Sequence, residues 1–222
     1  MSVITTQPGI SEHSTNQGTL EYLTNLETIK VERTDEIPTD HIPLGLNIIR
    51  KFLIKDPNSN KAYYGFCESA HFLLRAFTIH VFDEKKRKIG TFTRAEGNSY
   101  SSTELKVEAE NLGYLGKIVF IDNCCSLIRE VYNSTDQLIY NIEGKVKINM
   151  DIVLNIKKNG ESVGEMIRKW RGCWKESCSR PSLDNFVINF PLKADEPTKF
   201  LLIGTALLFE AVMGEARRIQ VY

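Results

Sequence analysis

From Gly18 onward the chain reads as short runs in which apolar and polar residues alternate, broken at regular intervals by polar turns. The run Glu104-Leu105-Lys106-Val107-Glu108-Ala109-Glu110 is the clearest. Its apolar residues share one face and its charges the other, the pattern of a strand with one side in a core and one in water. Phe77, Ile79 and Val81 share a face in the same way, as do Phe186, Ile188 and Phe190. Turns centre near Asp56-Pro57-Asn58, Asp83-Glu84-Lys85, Glu110-Asn111-Leu112-Gly113, Asn133-Ser134-Thr135-Asp136 and Lys158-Asn159-Gly160. They recur about every 23 to 27 residues, the size of one β-hairpin and its connection. Five hairpins supply ten strands, and alternating runs at 27–33 and 185–191 bring the number to about twelve. So many strands in one open sheet would be unusual, so closure into a barrel or folding into a sandwich is expected.

Outside this pattern, residues 1–17 are rich in Ser, Thr, Gln and Asn and read as a flexible polar tail. Leu20, Tyr22, Leu23 and Leu26 form a short apolar anchor, and residues 34–47, with Pro38, Pro43 and Gly45, read as a loop. One domain is expected over 18–222. Its last element, about 198–214, begins behind Asp195-Glu196-Pro197-Thr198, a helix-start signal, and is apolar on every side. From Lys199 to Glu210 such a helix covers roughly 15 Å, half of the ~30 Å hydrocarbon core of a bilayer. Burial inside the protein and insertion into a membrane are both open on this pattern. Burial is favoured by the charge at Glu210, and a barrel of about twelve strands leaves room for one helix.

Lys and Arg number 28 and Asp and Glu number 28, so the formal charge is zero. Bulk attraction to nucleic-acid phosphates or anionic lipid is thereby excluded. The five cysteines, Cys67, Cys124, Cys125, Cys173 and Cys178, include no Cys-x-x-Cys pair, which argues against a disulfide framework or structural zinc and for a reducing compartment. The opening residues have no secretion signal, and Ser2 excludes N-myristoylation. None of His13, His41, His71 and His80 has metal-site spacing, and His80 is out of phase with Ile79 and Val81, on the surface side of its strand or lining a pocket. No nucleophile elbow, phosphate-binding loop or dinucleotide fingerprint is present, so bond-making catalysis has no support.

Local attachment to a membrane has three candidates. Lys85-Lys86-Arg87-Lys88 is the densest cationic run, either a solvated hairpin tip or a headgroup contact. Trp170 and Trp174 stand among Arg168, Lys169, Arg171 and Lys175, which suits a membrane interface or a core tryptophan beside surface charge. Cys124 and Cys125 are candidates for acylation, or buried thiols next to a strand.

Several ordered motifs resemble the phospholipid scramblase family. Gly18-Thr19-Leu20-Glu21-Tyr22-Leu23 is similar to the family's Gly-Leu-Glu-Tyr-Leu opening, and Arg75-Ala76-Phe77-Thr78-Ile79 to its Arg-Pro-Phe-Thr-Leu segment. Asp184-Asn185-Phe186-Val187-Ile188-Asn189-Phe190-Pro191-Leu192 resembles its Asp-Asn-Phe-x-Ile-x-Phe-Pro-Leu, and the apolar helix follows at the family's distance. The similarity runs from about Gly18 to Glu215. It implies a tubby-like fold, a closed twelve-stranded antiparallel barrel around a central helix. It also implies calcium-stimulated, ATP-independent, bidirectional movement of phospholipids between leaflets at the cytoplasmic face of the plasma membrane. The alternative is a peripheral or cytosolic tubby-like lipid-binding or signalling adaptor, with protein partners, that does not itself scramble. The family's long Pro-rich N-terminal region has no counterpart in residues 1–17, and its cysteine-rich acylation run falls at 97–103, which hold no cysteine. In the family's calcium segment, Ser182 and Lys193 occupy the first and last acidic positions and leave Asp184 as the one carboxylate. Calcium takes several oxygen ligands, and the same residues also read as a plain strand.

Overall fold

The computed structural model describes residues 19–34, 36–59, 61–71, 76–95, 103–122, 126–145, 150–169 and 185–219. Twelve strands form one closed barrel. They are β1 Thr28–Arg33, β2 Ile48–Lys55, β3 Ala62–His71, β4 Ala76–Phe82, β5 Lys88–Arg94, β6 Thr103–Ala109, β7 Gly113–Asp122, β8 Ser126–Asn133, β9 Leu138–Lys145, β10 Ile152–Lys158, β11 Glu161–Lys169 and β12 Asn185–Asn189. Each strand pairs antiparallel with the next, and β1 lies between β2 and β12, which closes the ring. A closed ring has no edge to cap. The five expected turns are the five hairpin tips, and the run at 104–110 alternates exposed and buried along β6.

Turn chemistry fixes the register. Lys86, Asp136 and Asn159 take left-handed backbone angles at three of the tips. At one of them the Asn133 side-chain oxygen accepts from the main-chain N–H groups of Thr135 and Gln137, at 3.1 and 2.9 Å. Such Asx geometry supplies locally the bonds that the ladder cannot reach.

The last element is one helix, α1, over Glu196–Ile219. It starts two residues before the expected position and runs five beyond it. Asp195 accepts the main-chain N–H of Thr198 at 3.0 Å, the bond expected of an N-cap. The helix lies in the lumen: from Phe200 to Phe209 every residue is buried. Phe92 and Phe200 meet at 4.6 Å between ring centroids, and Phe186 and Phe209 at 5.2 Å. Gly90 makes the first contact possible. A Cβ there would strike the Glu108 carbonyl and lie 3.0 Å from the Phe200 ring.

The N-terminal anchor closes the end of the barrel at which α1 begins. Leu20 and Leu23 are buried in the core, with Tyr22 and Leu26 packed against it, around a 3-10 turn at Glu21–Leu23. The Lys199 ammonium donates to the carbonyls of Leu23 and Thr24, each at 2.8 Å, and Thr24 Oγ1 donates to Glu196 at 2.5 Å.

One outer wall is covered. The β1–β2 connection crosses β2–β4, held where Thr34 N–H donates to the Lys51 carbonyl at 3.0 Å and the His41 ring lies 4.6 Å from that of Tyr64. Phe66, in register with Lys51 and His80, is buried on this wall, and so is Ile37 of the connection. His80 lies on the outer face as expected and bonds Glu68 at 3.0 Å.

Candidate functional site

The cationic hairpin tip is largely neutralised. The Asp83 carboxylate accepts main-chain N–H bonds from Lys85 and Arg87, both at 2.9 Å. The Arg87 guanidinium grips the same carboxylate at 2.7 and 2.8 Å. Lys88, the first residue of β5, pairs with Glu110 at 2.8 Å, and Lys86 lies 3.9 Å from Asp40. Lys85 is exposed and makes no salt bridge among the described residues. Exposed pairs add little to stability, but they cancel the field that would draw an anionic surface. The tip also lies at the end where α1 begins.

The opposite end carries a different surface. There β8, β9 and β10 shape an outer groove of about 430 Å³ lined by Leu127, Ile128, Glu143, Lys145, Val153, Asn155 and Lys157. Ile128, Glu143 and Asn155 sit side by side in register across the three strands. Lys157 Nζ bonds Glu143 at 2.7 Å, and Lys145, at the exposed end of β9, makes no ion pair among the described residues. The apolar lining continues onto neighbouring strands. Ile121 pairs with Ile128, while Val153 pairs with Ile167 and Ile167 with Val187. Ile121 and Val153 are each 40 % exposed, and nearby Met150 is 61 % exposed.

An antiparallel sheet facing water normally turns polar residues outward; here two outward apolar rows, Ile121 with Ile128 and Val153 with Ile167 and Val187, flank the polar β9 residues Glu143 and Lys145, and such apolar surface marks a contact region. With Lys145 beside it, the groove has the chemistry of an amphiphile site: apolar wall for chains, a cation for a phosphate, and the Asn155 amide with the Lys157–Glu143 pair for polar headgroup atoms. The pattern of single runs did not single out these rows. Their signal is consecutive apolar residues where alternation calls for every second one: Phe120-Ile121, Leu127-Ile128, Ile152-Val153-Leu154, Met166-Ile167 and Phe186-Val187-Ile188.

Trp170, Trp174, Cys124, Cys125, Asp184 and Ser182 lie outside the described residues. Lys193 is described: it sits exposed in the turn after β12 with φ of 66°. The described part of the calcium segment is a strand. Phe186 and Ile188 point into the core, and the Asn189 side chain bonds Glu165 at 2.9 Å and Thr28 at 3.0 Å. Its amide is thus committed to the sheet, and a cation ends the segment, which does not fit a calcium loop. Among the described residues no three His, Cys, Asp or Glu side chains converge as metal ligands. Among them, too, no helix is long and apolar enough to cross a membrane.

The Scramblase family model matches residues 7–215, beginning upstream of the expected domain start at Gly18. The chain is 23 % identical over 215 residues to phospholipid scramblase 1 of Rattus norvegicus, a match that covers 88 % of this chain and 62 % of that protein. The chain therefore spans about three fifths of the length of this curated relative. No solved structure matches.

Proposed function

The chain belongs to the scramblase family, and from that membership we propose that it moves phospholipids in both directions between membrane leaflets, without ATP and without making or breaking covalent bonds. The observation that carries this reading beyond membership is the outer groove, where Lys145 and Lys157 border the half-buried Ile128 and the exposed Val153. The barrier to lipid exchange is the desolvation of a charged headgroup in hydrocarbon. A polar column of Lys145, Glu143, Asn155 and Lys157 would replace part of that hydration, while Val153, Ile128 and Ile121 stay against acyl chains. No energy input is needed, because the column lowers the barrier equally from both sides. Calcium stimulation belongs to the same reading through the family resemblance, and no step here runs through the ion. The place of action in this reading is the cytoplasmic face of the plasma membrane.

Liposomes carrying leaflet-marked fluorescent phospholipid test the activity. Addition of the protein is expected to raise exchange above protein-free liposomes, with and without ATP, and a calcium titration reads the stimulation. Exchange no faster than in protein-free liposomes overturns the scrambling reading.

A second reading, a peripheral lipid-binding adaptor on the same barrel, is favoured by one observation: α1 is buried in the lumen from Phe200 to Phe209. It predicts vesicle binding through the groove with no exchange, and release from membranes by salt or alkali.

A further inference from the structure

Two rows of side chains cross the outer wall at the groove. Ile128, Glu143, Asn155 and Glu165 stand side by side in register on β8, β9, β10 and β11. Two residues along each strand, Lys145 on β9, Val153 on β10 and Ile167 on β11 make the second row, with Val153 and Ile167 in register. Two residues of strand put the rows about 7 Å apart.

The first row is acidic at its centre. Glu143 and Glu165 lie on either side of the exposed Asn155. Glu143 accepts from Lys157 through Oε2 at 2.7 Å, and Glu165 accepts from the Asn189 amide through Oε1 at 2.9 Å. A carboxylate has a second oxygen and about four acceptor sites in all. Glu143 Oε1, Glu165 Oε2 and the Asn155 side chain take no hydrogen bond among the described residues. Lys157 is the one cation paired with this row among those residues. The second row carries the opposite charge at one end, since Lys145 is exposed and makes no ion pair among the described residues.

A zwitterion with its two charges close together matches this pattern, anion toward Lys145 and cation toward the acidic row. The groove, at about 430 Å³, has the size of a small-molecule site. The kind of cation follows from the lining. Carboxylates and an amide oxygen bind N–H donors, and a primary ammonium presents them in charge-assisted form. A quaternary ammonium has no N–H and is held by aromatic faces instead. The described residues that line the groove include no aromatic ring. We propose that the groove selects phospholipids whose headgroup ends in a primary ammonium, with Lys145 on the phosphate and Glu143, Asn155 and Glu165 on the ammonium. The occupant is a lipid and not a free phosphoamine because Ile128, Val153 and Ile167 border both rows with apolar surface suited to acyl chains. This names the substrate class of the groove and rests on the lipid-contact reading of it.

The test titrates the full chain with monomeric dihexanoyl phosphatidylethanolamine, its N-methyl and N,N-dimethyl forms, and dihexanoyl phosphatidylcholine, followed by amide NMR shifts. Monomers keep bilayer packing out of the comparison. The four lipids share phosphate, chains and net charge and lose one N–H donor at each methylation. Saturable shifts are expected on β9 and β10, with affinity falling at each methylation, by about fivefold overall, the upper range for a solvent-screened ion pair. Glu143→Gln/Glu165→Gln keeps the shape of the row and should bind all four lipids alike. Lys145→Gln should weaken all four and keep their order. Equal affinities in the parent, an order that survives in Glu143→Gln/Glu165→Gln, unchanged affinity in Lys145→Gln, or no saturable shift at the groove overturns the proposal. Exchange in liposomes together with equal affinities rejects the selection alone, and the affinity order without exchange rejects the exchange reading alone.

Discussion

Gly204 of the central helix faces Phe92 of β5 so closely that a Cβ on the glycine would lie 2.6 Å from the phenyl ring. Phe92 is fully buried and packed on Phe200 as well, so it has no room to withdraw. In an exposed helix Gly→Ala would gain about 1 kcal/mol from propensity. Here overpacking of about 1–3 kcal/mol opposes that gain. Gly204→Ala is therefore expected to leave stability unchanged or lower it, and Gly204→Val to lower it clearly, as read by urea unfolding. A substantial rise in midpoint for Gly204→Ala would show that the helix is not clamped at this point.

Leu207 is fully buried at the centre of the same packing. Leu207→Asp places an unpaired carboxylate in the lumen, a change expected to cost about 4 kcal/mol or more. The variant should lose its cooperative thermal transition. A folded Leu207→Asp protein with normal unfolding would mean that the helix does not form the core of the barrel.

Lys199 ties the helix to the N-terminal anchor through two carbonyls, those of Leu23 and Thr24. Burial pushes its ammonium below the usual lysine range, with Glu196, Asp195 and Glu27 opposing the shift. Lys199→Met keeps the stem but leaves both carbonyls without this donor. A loss of about 2–4 kcal/mol is expected from two partly buried acceptors. Amide exchange should rise first around residues 20–26, where the anchor is released.

The Thr24 hydroxyl bonded to Glu196 lowers that carboxyl below its ordinary value of 4.5. Between the folded and unfolded values the unfolded chain binds more protons, so stability rises with pH there. The contribution is complete above 4.5 and is lost as pH falls through the lowered folded value. In Thr24→Val this part of the acid slope should disappear. Thermal midpoints of parent and variant, compared from neutral to acid pH, should therefore converge below 4.5. A gap that stays constant across that range would separate Glu196 from Thr24.

In the groove, Lys145→Glu reverses a cation expected to be worth about 1 kcal/mol near an anionic bilayer. The reversal, about 2 kcal/mol, should weaken binding to anionic vesicles roughly thirtyfold. Val153→Asp places a charge on the exposed apolar band and should reduce both vesicle binding and lipid exchange. Both are surface changes, so unfolding free energy should move by no more than about 0.5 kcal/mol. Unaltered vesicle binding in both variants would remove the groove from the lipid-contact reading.

Much of the barrel was legible along the chain. Leu105, Val107 and Ala109 are buried between exposed Glu104, Lys106 and Glu108, and the five polar turns are five tips, because strand phase and turn chemistry are local properties. The helix start was legible at Asp195, which caps Thr198, while its end ran past Gly214 to Ile219. The functional surface was less so. Lys85, Lys86, Arg87 and Lys88 stand out as a cationic run, yet Asp83 and Glu110 neutralise two of the four. Asp83 is a near neighbour along the chain, but Glu110 reaches Lys88 only through the packing of β5 beside β6.

By itself the sequence determined what depends on nearest neighbours: which residue of each pair faces the core, where the chain turns, and that an apolar helix must be buried in protein or in lipid. Tertiary structure alone decided what depends on closure. Arg33, Arg50, Arg94, Arg129 and Arg168 are scattered over five strands, and they lie at one mouth because antiparallel pairing around a closed ring sets the ends of odd strands beside the starts of even ones. Ile121 and Ile128 on one side of β9, and Val153, Ile167 and Val187 on the other, likewise become outward apolar rows only when register sets them side by side. A period of two residues assigns each side chain to a face, but its neighbours across the sheet come from register and closure, which no single run contains.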